Sequence, residues 1–146
     1  MHVLIVEDDP IVADVLGMTL EEAGHFKTTA NTIETALSEL KHNRIDAILL
    51  DLNLPNGDGT RLARLVRKNH ILVPILVISG NSSIDEKITA LGAGADGYLT
   101  KPVDRYEWMA NLDAIMRRSR DHGAATISFG NLVVDPSRNY AKAGET

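Results

Sequence analysis

The chain has 146 residues, 44% hydrophobic and 24% charged, with a formal net charge of -5 and no cysteine. Its length suffices for one domain with a buried core, while the acidic balance argues against nucleic-acid binding by this chain itself. Lack of cysteine excludes disulfides, thiolate catalysis and cysteine-ligated zinc, which fits a reducing cytoplasm, and no stretch nears the roughly 20 apolar residues of a membrane span.

Short apolar runs alternate with amphipathic segments, the pattern of a parallel sheet with helices on both faces. Val3-Leu4-Ile5-Val6 reads as a strand buried on both sides, and its abrupt stop at Glu7-Asp8-Asp9 is unlike a signal peptide. Asp9 suits an N-cap and Pro10 the first helical position. Val12, Val15, Leu16 and Leu20 then keep helical spacing up to Gly24. A weaker strand spans Phe26 to Thr29, followed by a helix from about Thr32 to His42, with Asn31 and Glu34 as a capping box. Ala47 to Leu52 is the third strand. A loop from Asn53 to Gly59 leads into a helix through Leu62, Leu65 and Val66. Pro74 to Ser79 is the fourth strand, and Ser83 with Glu86 opens a helix that ends near Gly92-Ala93-Gly94. Gly97 to Thr100 is the fifth strand. After Pro102 a last helix carries Trp108, Met109, Leu112, Ile115 and Met116 on one stripe and closes on Arg117, Arg118 and Arg120. Beyond it, Asp121 to Ala125 reads as a linker, with short strands at Ile127 to Asp135 and Tyr140 to Ala143.

Ligands of open parallel sheets bind beyond the carboxyl ends of strands, where strand order switches. Strands one and three are expected to be neighbours there, which gathers Glu7, Asp8 and Asp51. Crowded carboxylates raise one another's pKa unless a cation sits among them, and oxygen-only ligands in a partly open acidic site suit Mg²⁺. A carboxylate beside such a cation and opposite Lys101 is a plausible nucleophile toward phosphorus. Lys101 would neutralise the incoming phosphoryl charge, and the Ser79 hydroxyl would donate to one of its oxygens. Each part alone has a blander reading: Glu7-Asp8 as a solvated loop, Asp51 as a turn residue, Ser79 in a polar loop, Lys101-Pro102 as a strand stop. The order and spacing of all four are far more specific than any one.

From Met1 to about Arg120 the sequence resembles a two-component response-regulator receiver domain. The matching stretches are Leu4-Ile5-Val6-Glu7-Asp8-Asp9, Leu49-Leu50-Asp51-Leu52-Asn53-Leu54-Pro55, Val77-Ile78-Ser79-Gly80 and Gly94-Ala95-Asp96-Gly97-Tyr98-Leu99-Thr100-Lys101-Pro102. The resemblance implies a flavodoxin-like doubly wound α/β fold, five parallel strands in the order 2-1-3-4-5 with five helices. It implies that Asp51 takes a phosphoryl group from a sensor histidine kinase or histidine phosphotransfer protein. Mg²⁺ would be held by Asp8, Asp51 and the main-chain carbonyl of Asn53, with Glu7 acting through water. Lys101 would pair with the phosphoryl group, and the bond to Pro102 would be cis. Ser79 and Tyr98 would form the switch, making the chain a phosphoacceptor rather than a turnover enzyme.

The tail, with Met116-Arg117-Arg118-Ser119 and Gly130-Asn131-Leu132-Val133-Val134-Asp135, resembles the opening of the second domain in OmpR/PhoB-type transcription regulators. Ser79-Gly80-Asn81-Ser82-Ser83-Ile84-Asp85 is similar to CtrA cell-cycle regulators. This implies a receiver at 1-120 and, at 121-146, the linker and first strands of a winged-helix domain, so that DNA is reached only through a part absent from this chain. It also implies a homodimer through the fourth helix, fifth strand and fifth helix, with Lys87 pairing Glu107 and Asp96 pairing Arg118. Gly97, Asn111 and Asp113 stand where other charges are usual, so dimerisation is expected to be weaker or differently wired. Two rivals stay open: a stand-alone receiver that shuttles phosphate or binds a protein, and a Mg²⁺-dependent phosphatase. The phosphatase reading lacks the acid it needs two residues after Asp51, where Asn53 stands.

Overall fold

A computed structural model describes residues 1–54 and 59–129. Five parallel strands, β1 (His2–Val6), β2 (Phe26–Ala30), β3 (Ala47–Asp51), β4 (Ile75–Ser79) and β5 (Gly97–Thr100), lie in the order β2-β1-β3-β4-β5. Between them run α1 (Pro10–Glu22), α2 (Ile33–His42), α3 (Gly59–Lys68) and α4 (Ile84–Ala93), and α5 (Arg105–Phe129) follows β5. This is the doubly wound arrangement expected from the alternation of runs.

The central strands β3 and β4 are apolar up to their last residue because both their faces are covered. Every residue of β3 and β4 is buried. On one face Leu4, Val6, Ile48, Leu50, Ile75 and Val77 pack with Ile33 and Ala36 of α2, Leu62, Ala63 and Val66 of α3, and Ala90 and Ala93 of α4. Side chains alternate along a strand, so the residues between them face the other way. There Leu49 and Ile78 meet α1 and α5 around a cavity of about 540 Å³, walled by Val12, Leu16 and Trp108. Each fully buried leucine or isoleucine of these faces contributes ~1.5–3 kcal/mol of hydrophobic stabilisation before the entropy of ordering it.

The register carries the strand ends into line. Val6 pairs with Leu50, Asp51 with Ile78 and Ser79 with Thr100. Glu7 therefore leaves β1 beside Asp51, and Lys101 leaves β5 beside Ser79. Asp9 caps α1, accepting from the Ile11 and Val12 amides, with Pro10 in the first turn. Gly59, the first residue of α3, comes so close to β3 that an added Cβ would lie 2.7 Å from the Asp51 carbonyl oxygen. Only a residue without a side chain lets the helix start there.

Three local readings change. The cap of α2 is Thr32, whose hydroxyl accepts from the Thr35 amide, rather than Asn31. In α1 the buried residues are Ala13, Gly17 and Leu20, while Val15 is 58% exposed. Small residues let this helix lie close to its neighbours: a Cβ on Gly17 would meet the Lys27 side chain at 2.7 Å. Finally, α5 does not close at Arg120 but continues to Phe129, through the stretch expected to be a linker. Ala124 and Ala125 favour helix, and the single Gly123 costs only about 1 kcal/mol against it.

Residues 1–115 form one compact unit and a second begins at Met116, its described part being the remainder of α5. The expected strand at Tyr140 to Ala143 lies outside the described residues, and of the strand expected at Ile127 to Asp135 the described residues 127–129 are helical instead, as the end of α5. Among the described residues, no helix is long and apolar enough to cross a membrane.

Candidate functional site

The carboxyl edge of the sheet collects the acids. Oxygens of Glu7, Asp8 and Asp51 all lie within 4.8 Å of one another. Glu7 and Asp51 are buried, 5% and 6% exposed, whereas Asp8 faces solvent at the start of the β1–α1 loop. Asp51 Oδ1 accepts from the main-chain amide of Asn53 at 3.0 Å, which fixes the turn leaving β3. Glu7 Oε2 accepts from the Asp9 amide at 3.2 Å.

Lys101 is the cation opposite them. Its Nζ lies 3.4 Å from Asp51 Oδ2 and 3.6 Å from Glu7 Oε1. Its backbone is held by donation from its amide to the Ser79 carbonyl at 2.7 Å, and the Lys101-Pro102 bond is cis. One ammonium facing three carboxylates does not neutralise them. The strain falls on Glu7, whose pKa is raised from the ordinary 4.5 to about 7, first by burial, then by sharing a hydrogen bond with Asp51 and by the Asp51 charge. Donation from the Asp9 amide and the Lys101 charge oppose that rise. A buried acid pushed toward neutrality beside two others is the chemistry of a donor set that accepts a divalent cation. The three carboxylates fit such an ion, as would the Asn53 main chain beside them.

Ser79 ends β4 wholly buried, one residue beyond the partner of Asp51. Its hydroxyl accepts from the Asn81 amide at 3.1 Å and donates to Glu86 Oε2 at 3.1 Å. Tyr98, half-buried on β5, reaches the same Glu86 oxygen at 2.9 Å. The pKa of Tyr98 is raised, chiefly by burial. Glu86 is the residue that sequence reasoning valued only as a cap partner. A signal was present, since its interval from Ser79 carries it across the loop to the first turn of α4, but nothing in the sequence told its inward rotamer from an outward one.

The residues expected to form the dimer face lie on α4, on α5 and just before β5. Lys87 on α4 and Glu107 and Arg118 on α5 are exposed. The Asp96 carboxylate pairs with Arg67 at 3.0 Å and accepts from the Ile75 amide at 2.8 Å, so it is already engaged within the chain. Gly97 packs where a Cβ would stand 3.0 Å from a methyl group of Leu76.

Residues 3–113 match the response regulator receiver domain. The chain belongs to that family. Over 135 residues, 92% of its length, it is 38% identical to the cell cycle response regulator CtrA of Brucella ovis and to that of Brucella abortus. It spans 58% of the length of those relatives. Among solved structures, the receiver domain of Francisella response regulator 1452 superposes with a TM-score of 0.77 at 32% identity, covering 81% of this chain and 98% of that one. A CheY-like receiver domain protein of Methanospirillum hungatei gives 0.78 at 26% identity, covering 82% and 96%.

The Glu7 shift sets a pH dependence. The folded chain holds this proton more tightly than the unfolded one. The stability it lends is therefore complete below about pH 4.5 and is lost as pH rises through about 7. In the absence of divalent cations, raising pH from 5 to 8 should lower the unfolding free energy by on the order of 1–3 kcal/mol. Glu7→Gln should flatten that slope. Urea titrations at each pH check this, and a slope unchanged in the variant would refute it.

Proposed function

We propose that the chain is the phosphorylation-activated receiver of a two-component transcriptional regulator, with Asp51 as phosphoacceptor. The observation that carries this reading is the convergence of Glu7, Asp8 and Asp51 on one another with Lys101 Nζ 3.4 Å from Asp51, in a chain of the receiver family. A carboxylate oxygen of Asp51 attacks the phosphorus of a phosphohistidine on a sensor kinase or phosphotransfer protein. The P–N bond breaks, its electron pair returns to the imidazole, and an acyl phosphate remains on Asp51. Lys101 meets the transferred charge from the side of β5, and the Ser79 hydroxyl donates to a phosphoryl oxygen. Mg²⁺, when bound by Asp8, Asp51 and the Asn53 carbonyl, with Glu7 through water, supplies positive charge to the phosphoryl oxygens. The chain turns over no external substrate and supports only its own phosphorylation and dephosphorylation.

The output is proposed by likeness to the CtrA regulators, whose name assigns them to cell-cycle response. Transcription control, DNA binding and a cytoplasmic setting would belong to a longer protein of which this chain is the receiver. Homodimerisation through α4, β5 and α5 is supported by an exposed apolar row on α4, Ile84, Ile88 and Leu91 at helical spacing. Lys87 with Glu107 and Asp96 with Arg118 would fix its register, Asp96 being shared with Arg67. Sedimentation with and without a phosphoryl mimic should show self-association that grows with the mimic; identical tight dimers in both states would contradict it.

Incubation with a small acyl-phosphate donor and Mg²⁺, read by intact mass, should add one phosphoryl group. Asp51→Asn should abolish it, and Lys101→Ala should slow it by on the order of tenfold to a hundredfold. Equal labelling of wild type and Asp51→Asn would refute Asp51 as the acceptor.

A further inference from the structure

The sequence pairs Ser83 with Glu86 as a reciprocal cap, but only half of that cap forms. Glu86 donates its amide to Ser83 Oγ at 3.1 Å, while the Ser83 amide goes instead to Asn81 Oδ1 at 2.8 Å. The Glu86 carboxylate is thereby released from capping and turns inward. Its neighbours Asp85 and Lys87 are exposed, whereas Glu86 is half-buried. One oxygen, Oε2, accepts from the Ser79 hydroxyl at 3.1 Å and stands 2.9 Å from the Tyr98 hydroxyl, whose single proton is shared between Oε2 and the Asn81 carbonyl at 2.7 Å. Two side chains from adjacent strands are thus tied to a single acid on α4.

We propose that Glu86 is a positioning residue that clasps Ser79 and Tyr98 in their unphosphorylated arrangement, and that a phosphoryl group on Asp51 opens the clasp by claiming the Ser79 proton. The inference rests on the phosphoacceptor reading of Asp51 and adds to it what opposes the switch. A serine hydroxyl has one proton to give. In the observed arrangement it goes to Glu86, so donation to a phosphoryl oxygen requires leaving Glu86. The bond given up is charge-assisted and hence among the stronger ones available to a hydroxyl. When Ser79 departs, Glu86 keeps Tyr98 alone, and the new negative charge on Asp51 repels the carboxylate that remains. Release of Tyr98 from Oε2 and from the Asn81 carbonyl then frees the β4–α4 loop and the first turn of α4 together. Glu86 thus sets the resting population of the switch, and its loss shifts that population toward the arrangement that phosphorylation favours.

The test uses the full chain labelled with ring-¹³C tyrosine. It has three tyrosines, and Tyr98→Phe identifies the signal of Tyr98. Two variants separate the clasp from a mere charge at the helix terminus. Glu86→Gln keeps the length and removes the charge; Glu86→Asp keeps the charge in the first turn of α4 and draws the carboxylate back from both hydroxyls. In both, the Tyr98 signals of unphosphorylated protein should leave their wild-type positions, and beryllofluoride with Mg²⁺ should bind about tenfold more tightly, roughly 1.4 kcal/mol. Unmoved Tyr98 signals, weaker binding of the mimic, or a Glu86→Asp variant indistinguishable from wild type would each overturn the clasp. If wild type binds no mimic, the phosphoacceptor reading fails, and the tyrosine signals of the two variants still decide whether Glu86 holds Tyr98.

Discussion

Three carboxylates crowd together at the carboxyl edge of the sheet, two of them sharing one ammonium, and most of the molecule serves to hold them there. Left to themselves Glu7, Asp8 and Asp51 would separate into solvent, since like charges this close are costly where water is excluded. They are kept together by register. β1 and β3 pair so that Glu7 and Asp51 emerge side by side, and β4 and β5 pair so that Lys101 arrives opposite. The cost of gathering the acids is met by the apolar strands behind them, whose burial is insensitive to what the strand ends carry. The result is a cup that is stable as a scaffold and unsatisfied as a charge distribution, the condition for taking up a cation and an anionic group together.

The same geometry explains how a local event can reach a distant surface. Ser79 ends the strand next to that of Asp51, and its hydroxyl leads through Glu86 to Tyr98 and to α4. Each link is a hydroxyl with one proton and a choice of acceptors, so the chain of contacts has discrete states rather than a continuum. On the opposite side of the sheet α1 and α5 leave room around Trp108 and Leu16, while α2, α3 and α4 pack densely on the other face.

Much of this could be read from the chain. The apolar runs marked β1, β3 and β4 because strands buried on both faces tolerate little else, and the acids stood out because they end those runs. The parts that were less legible depend on side-chain rotamers or on competition between near-equal local choices. Thr32 outcompeted Asn31 as a cap although both residue types suit the position. The contact side of α1 was set by Ala13 and Gly17, which a search for large apolar residues passes over. Glu86 had the sequence signature of a cap and the side-chain contacts of a clasp, because Asn81 supplied the acceptor the cap needed. The extension of α5 to Phe129 reflects helix propensity prevailing over a polar composition that suggested a linker.

The central claim is that the three acids form one cation-binding cup around the phosphoacceptor. Anomalous diffraction from crystals soaked in Mn²⁺, a scatterer that accepts the same oxygen ligands as Mg²⁺, tests it most directly. A single strong peak should lie between the carboxylates of Glu7, Asp8 and Asp51 and vanish in Asp51→Asn. A cup without density at saturating Mn²⁺, or a peak at some other cluster of acids, would contradict the account.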